Sequence, residues 1–424
     1  MRVLAGGEGA ILRGTAMGRT GDDASRVRDD EVSNPLEEEK DMKSIRFVAL
    51  GGALALGLAA CSGGGAGAGS DDESGAAAAD PSELTIGVAM PTETSERWIA
   101  DGDAVKSQLE EAGYTVDLQY AADDIPTQSQ QIDQMITKGA DLLIVASIDG
   151  TALANQLQAA ADANIPVIAY DRLINGTENV DFYVTFDNYN VGVQQATSLL
   201  VGLGLLNADG SEGTATGPFN IELFAGSLDD NNAHFFYQGA IDTLQPYIDE
   251  GTLVVKSGQT DIEQVATLRW LQETAQKRME DLLTSTYSDG SKVAGVLSPY
   301  DGISRGIITA LQNAGYGSTI EAGLPIVTGQ DAEIASVKLI QDGTQFSTIF
   351  KDTRKLAEQA VISAESFLEG EEPEANDTES YDNGVKVVPS FLLESDIVYA
   401  DNIQSLLIDS GYWTAEEVAA GQAD

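Results

Sequence analysis

The sequence predicts an α/β protein built as two doubly wound parallel-sheet lobes joined by a hinge, and three observations predict it. Short apolar runs such as Leu142-Leu143-Ile144-Val145 and Pro166-Val167-Ile168-Ala169 show no polar alternation, as strands do when helices cover both faces of their sheet. Segments of helical period separate these runs, so strand and helix alternate along the chain. The chain has 424 residues, 42% of them hydrophobic, and a single core stops growing at roughly 250–300 residues. Two lobes are therefore expected.

The first alternation reads as strands at 84–90, 115–120, 142–146 and 167–170, with helices at 97–112, 126–138 and 152–163 between them, and a closing strand at 182–186. A second begins with a helix at 191–200. Its strands are expected at 219–224, 253–255, 294–297 and 325–328, and its helices at 233–244, 263–283, 303–314 and 334–341. Similar α/β units in series imply two lobes facing a cleft.

Ahead of the first strand, residues 1–41 are rich in Gly, Arg and acidic residues and have no sustained apolar period. The basic stretch Met42-Lys43-Ser44-Ile45-Arg46 then precedes an apolar run from Phe47 to Leu58. That run fits a signal-peptide core and falls short of the ~20 residues a membrane-spanning helix needs. Leu58-Ala59-Ala60-Cys61 closes it in the pattern of a bacterial lipobox. The expectation is an exported lipoprotein with a signal peptide over 42–61, acylated at Cys61 and anchored to the cell membrane from its extracytoplasmic side. Residues 62–81 would then be a flexible tether, Met42 the true start, and 1–41 a misassigned leader.

Composition excludes several classes. Lys and Arg total 23 against 68 Asp and Glu, and the formal charge of -45 repels phosphate backbones, so no nucleic acid partner is expected. With one cysteine and one histidine, Cys61 and His234, the chain can form neither an internal disulfide nor a Cys/His metal cage. No metal and no cofactor is expected.

In open parallel sheets, ligands bind outside the carboxyl ends of the strands. Polar residues gather at those ends here: Arg97 and Trp98, Asp171 and Arg172, then Asp229 to Asn232, Tyr300-Asp301, Gln330-Asp331 and Lys351-Asp352. A neutral polyol needs fixed donors and acceptors for its hydroxyls and an aromatic ring against its C–H face. This set supplies both, and no glycine-rich phosphate loop precedes a helix. Taken singly, Asp171-Arg172 reads as a surface ion pair, Asn231-Asn232 as helix caps, Trp98 and Trp270 as packing, and His234 as structural. Recurrence at corresponding strand ends is what points to a site.

Longer motifs carry a resemblance. Gly87-Val88-Ala89-Met90-Pro91-Thr92 with Arg97-Trp98-Ile99, Ile168-Ala169-Tyr170-Asp171-Arg172, Asp229-Asp230-Asn231-Asn232-Ala233, Leu297-Ser298-Pro299-Tyr300-Asp301-Gly302, Gly329-Gln330-Asp331-Ala332-Glu333 and Thr348-Ile349-Phe350-Lys351-Asp352 occur in one order between 84 and 413. In this the chain resembles the type I periplasmic sugar-binding proteins, including the xylose-binding group. The resemblance implies a monosaccharide held by Arg97, Asp171 and Arg172 from one lobe and Asp230, Asn232, Asp301 and Asp331 from the other, with Lys351 near the hinge and Trp98 and Trp270 sandwiching the ring. Tyr300 stands where related proteins carry a ligand-binding asparagine, which leaves Tyr300 and Asp301 as alternative contacts.

The resemblance also implies discontinuous lobes, 84–187 plus 353–383 and 188–352 plus 384–424, closing by hinge motion around the ligand. The implied protein is a monomer that captures an aldose such as xylose, arabinose, glucose or galactose and hands it to an ABC permease. The alternative task is to present bound sugar to a sensor kinase or chemoreceptor, and the same cleft would serve. An enzymatic reading would need Asp171 and Asp331 as acid and base. Arginines beside both carboxylates keep them ionised, whereas a general acid needs a raised pKa.

Overall fold

The computed structural model describes residues 80–423; Met42, Cys61 and the readings made on 1–79 lie outside the described residues. The strands are β1 (Thr85–Met90), β2 (Thr115–Tyr120), β3 (Leu142–Val145), β4 (Val167–Tyr170), β5 (Phe182–Phe186), β6 (Phe219–Leu223), β7 (Leu253–Val255), β8 (Gly295–Leu297), β9 (Ile326–Val327), β10 (Thr348–Phe350), β11 (Ser390–Leu393) and β12 (Asp396–Val398). The helices are α1 (Glu96–Glu111), α2 (Ile125–Lys138), α3 (Ala154–Asp162), α4 (Asn188–Gly202), α5 (Asn232–Asp249), α6 (Ile262–Val265), α7 (Gln272–Ser285), α8 (Asp301–Asn313), α9 (Ile334–Gln341), α10 (Thr353–Leu368) and α11 (Ala415–Ala420).

The apolar runs behave as their lack of alternation predicts. Leu142 and Ile144 of β3 belong to the core on one face of the first sheet, Leu143 and Val145 to the core on the other, and all four are fully buried. Helices α1 and α10 supply Val105, Leu109, Leu356, Ala360 and Ala364 to the first of these cores, and α2 and α3 supply Ile132, Met135 and Leu157 to the second.

The first sheet has the order β11-β5-β4-β3-β1-β2 and the second β7-β6-β8-β9, every pair in both being parallel. In each, the chain steps outward from its first strand, to β2 or β7, and returns on the opposite side, to β3 or β8. Strand order reverses there, and a crevice opens at the carboxyl ends. Strand β10 pairs antiparallel with β12, and backbone hydrogen bonds between Ile349 and both Gly329 and Asp331 tie that pair to the second sheet.

Two expectations change. The tail after 383 does not all join the second lobe, because β11 lies parallel to β5 at the edge of the first sheet. Its short apolar run carried no periodicity that could say which sheet it completes. The helix expected over 263–283 is broken: Ala266 and Thr267 are extended, and Arg269 and Trp270 take left-handed φ of 57° and 58°. Tertiary contacts hold the break. Arg269 N donates to Ser227 Oγ at 2.8 Å, and the Trp270 ring lies so close to Gly226 that a Cβ there would meet Cη2 at 2.0 Å.

Helices α4 and α5 cross with their backbones in contact. A Cβ on Gly192 would fall 2.1 Å from Phe236 O, and one on Gly239 would fall 2.1 Å from Tyr189 O. Backbone cannot give way as a flexible side chain can, so Gly192→Val is expected to destabilise the protein by about 1–3 kcal/mol. A urea unfolding curve with an unchanged midpoint would count against this close crossing.

Candidate functional site

The turns leaving β1, β4, β6, β8, β9 and β10 converge on one cavity of about 290 Å³ between the two sheets. The first sheet contributes Arg97, Trp98, Asp171 and Arg172; the second contributes Asp230, Asn232, Trp270, Tyr300 and Asp331; Lys351 follows β10. Arg97 and Asp101 sit one turn apart on α1, which lets the Arg97 side chain fold back over Asp101.

Arg97 is the centre of the charge network. Its Nε donates to Asp101 Oδ2 at 3.0 Å, one Nη donates to Asp171 Oδ1, and the other lies 3.7 Å from Asp331 Oδ1. Lys351 Nζ approaches the same Asp331 oxygen at 3.0 Å and sits over the Phe186 and Phe236 rings. Arg172 Nε lies 3.1 Å from Asp230 Oδ2, and its Nη1 donates to Ser147 O at 3.2 Å. Both guanidiniums lie 4.9 Å from the Trp98 ring centroid, a cation–π arrangement that fixes the indole as one wall. Trp270 forms another wall, edge-on to Tyr300 and Phe236.

Burial and neighbouring charge divide the carboxylates. Burial would raise Asp171, but Arg97, Lys351 and Arg172 together hold it below its ordinary value, so it is an acceptor-only carboxylate. Burial pushes Asp101 up to about 6 despite Arg97, with the Asp171 charge adding to the rise. Asp230 is also raised by burial, against the pull of Arg172.

Several single-residue readings change. Asp171 and Arg172 are not a surface pair: each is bonded to a different partner, and Asp171 is 2% exposed. Neither Asn231 nor Asn232 caps α5 through its side chain; Asp230 Oδ1 accepts from Asn232 N at 3.0 Å instead. The Asn232 amide crosses the cleft, donating to Asp171 O at 2.7 Å and accepting from Tyr183 and Asn188. Asp301 does not line the cavity. It is fully buried, where it accepts from Gln345 Nε2 at 2.8 Å and Glu333 N at 2.9 Å and so ties the turns after β8 and β9 together. Tyr300 does line the cavity, with its hydroxyl turned away to donate to Glu333 Oε1 at 2.6 Å. His234 is exposed on α5, outside the lining.

Sequence reasoning missed Asp101, Phe236 and Arg269. The Arg97-x-x-x-Asp101 spacing was a usable signal for the first. The other two had none, because Phe236 reads as helix interior and Arg269 depends on the break before α7.

Further bonds join the lobes across the cleft: Gly150 N donates to Asp229 O at 3.1 Å, Arg269 Nη1 to Asp123 O at 2.8 Å, and Ser95 Oγ reaches Glu333 Oε1 at 3.5 Å.

Residues 86–372 match the periplasmic binding protein domain model. The chain belongs to the periplasmic binding protein family. The resemblance expected from the motifs is borne out, as is the two-sheet type I architecture. This binding protein is 55% identical to the multiple sugar-binding periplasmic receptor ChvE of Rhizobium radiobacter, over 79% of its own length and 92% of that protein's. It is 35% identical to the D-xylose-binding periplasmic protein of Escherichia coli, over 80% of its length and 94% of the relative's. Among solved structures, it matches an ABC transporter solute-binding protein from Clostridium phytofermentans with bound β-D-glucose. That match has a TM-score of 0.73 and 48% identity, and covers 79% of this chain and 99% of that one.

Proposed function

We propose that this protein is an extracytoplasmic solute-binding protein that captures a monosaccharide between its lobes, delivers it unchanged to an ABC permease, and works as a monomer held to the membrane through acylated Cys61. The observation that carries the reading is the cavity. Its volume of about 290 Å³ lies at the small end of ligand pockets. Two indoles form walls, and Arg97, Asp171, Arg172, Asp230, Asp331 and Lys351 line it as donors and acceptors already fixed by mutual ion pairs. Fixed, desolvated polar groups recognise a hydroxylated ring at little ordering cost. Relatives named for multiple sugars and for xylose, and a neighbour holding glucose, support the same ligand class. The ligand-binding set proposed is Arg97, Trp98, Asp171, Arg172, Asp230, Asn232, Trp270, Asp331 and Lys351, with Tyr300 presenting its ring and Asp301 acting from behind the wall.

Glucose, galactose, arabinose, xylose and fucose, each tested in a thermal-shift titration, decide the ligand class. At about 100 times its dissociation constant a ligand adds ~2.7 kcal/mol to stability, so at least one sugar is expected to raise the melting temperature clearly. No shift with any of them would sink the proposal. The anchor is tested separately. Cys61→Ser is expected to move the protein from the membrane and detergent phase into the soluble fraction, and continued detergent partitioning would refute lipidation.

A further inference from the structure

Two corners of the backbone that meet across the cleft beside the cavity share an unusual feature. Ala122 and Asp123, between β2 and α2, have φ of 52° and 58°, while Arg269 and Trp270, between α6 and α7, have φ of 57° and 58°. Consecutive left-handed residues other than glycine are held only where their surroundings over-determine them. Here one side chain joins the corners: Arg269 Nη1 donates to Asp123 O at 2.8 Å across the cleft. Its Nε lies 3.5 Å from the Asp229 carboxylate, whose own backbone oxygen accepts from Gly150 N of the opposite lobe at 3.1 Å. Arg269 also lines the cavity immediately beside Trp270, the residue that forms one of its walls.

We infer that Arg269 is a positioning residue that latches the closed cleft, tying the 122–123 corner to the 269–270 corner and so setting how slowly a bound ligand leaves. A guanidinium donating to a backbone oxygen is a charge-assisted bond, stronger than a neutral one. It forms only when the lobes meet, so it stabilises the closed state and not the open one. It also fixes the backbone from which Trp270 projects. Within the cavity Asn232 and the Arg172–Asp230 pair also cross the cleft, whereas Ser95–Glu333 is a long 3.5 Å; Arg269 is the guanidinium that ties the two left-handed corners together.

The inference rests on the capture of a monosaccharide, and the test separates the two. The wild-type protein is first titrated with the five sugars; no binding removes the capture reading by itself. With the best-bound sugar, stopped-flow fluorescence then compares wild type, Arg269→Ala and Arg269→Lys. Arg269→Ala is expected to release sugar about tenfold faster, the scale of one lost charge-assisted hydrogen bond, with the association rate within about twofold. Arg269→Lys keeps the charge opposite Asp229 but has no second arm for Asp123 O, and is expected to fall between them. Small-angle scattering at saturating sugar should show Arg269→Ala with a larger mean radius of gyration than wild type. Unchanged release overturns the inference. Faster release with an unchanged scattering curve also overturns it, since Arg269 would then be only a ligand contact. If no sugar binds, scattering curves of the two ligand-free proteins that superimpose overturn the latch as well.

Discussion

Arg97→Ala is expected to abolish measurable sugar binding and to lower folding stability by about 3–5 kcal/mol, the scale of breaking a buried ion pair by removing one partner. The reason is the company Arg97 keeps. It faces Asp101, Asp171 and Asp331, all buried, and without it the group keeps Lys351 beside Asp331 and only the weaker pull of Lys351 and Arg172 on Asp171. The loss should depend on pH in a definite direction. Asp101 and Asp171 are both lowered by Arg97, so in the variant both fold at higher pKa values than in wild type. A group whose folded pKa lies above its unfolded one binds more protons when folded, and stability then falls as pH rises through that interval. The deficit of Arg97→Ala is thus expected to be largest at pH 7.5 and to shrink toward pH 5. In wild type, Asp101 already acts this way between its ordinary value and about 6. Asp171, held low, contributes stability that is present above its ordinary value and lost as pH falls below it. Scanning calorimetry at pH 5 and 7.5 checks the sign, and a deficit that grows on acidification would contradict the network.

Arg172→Ala is expected to weaken monosaccharide binding at least about tenfold, since a buried charge-assisted contact contributes roughly 1.5–3 kcal/mol. The substitution removes two things at once. Asp230 loses its cation, and because burial already raises Asp230, its carboxyl shifts further in that direction. Trp98 loses one of the two guanidiniums that flank its ring, so the indole gains freedom that ligand binding must then remove. Calorimetric titration reads the effect directly, and unchanged affinity would count against this end of the cavity as a ligand site.

The legibility of this protein follows the kind of information each residue carries. Leu142 to Val145 could be assigned to a strand buried on both faces because four successive apolar side chains have nowhere else to go. Although Trp270 enters only through the family resemblance, Arg97, Asp171, Arg172, Asp230, Asp331 and Lys351 could be nominated together because they follow strands, and strand ends are where open sheets leave polar groups uncovered. Position along the chain was enough for that. It could not say that Tyr300 faces the cavity while its neighbour Asp301 is fully buried behind the wall, because adjacent side chains at the N-terminus of α8 point in different directions.

The sequence by itself determined the alternation of strand and helix, the need for two sheets, the sign of the surface charge and the cluster of strand-end polar residues. Only the tertiary structure decided that β11 completes the first sheet, that the chain breaks between α6 and α7 to present Arg269 and Trp270, and that one guanidinium serves three carboxylates. The physical reason is range. Periodicity and residue type report which face of an element avoids water, whereas the partner of a strand edge, a hydrogen-bond donor or a buried charge lies far along the chain and is chosen by how the lobes pack.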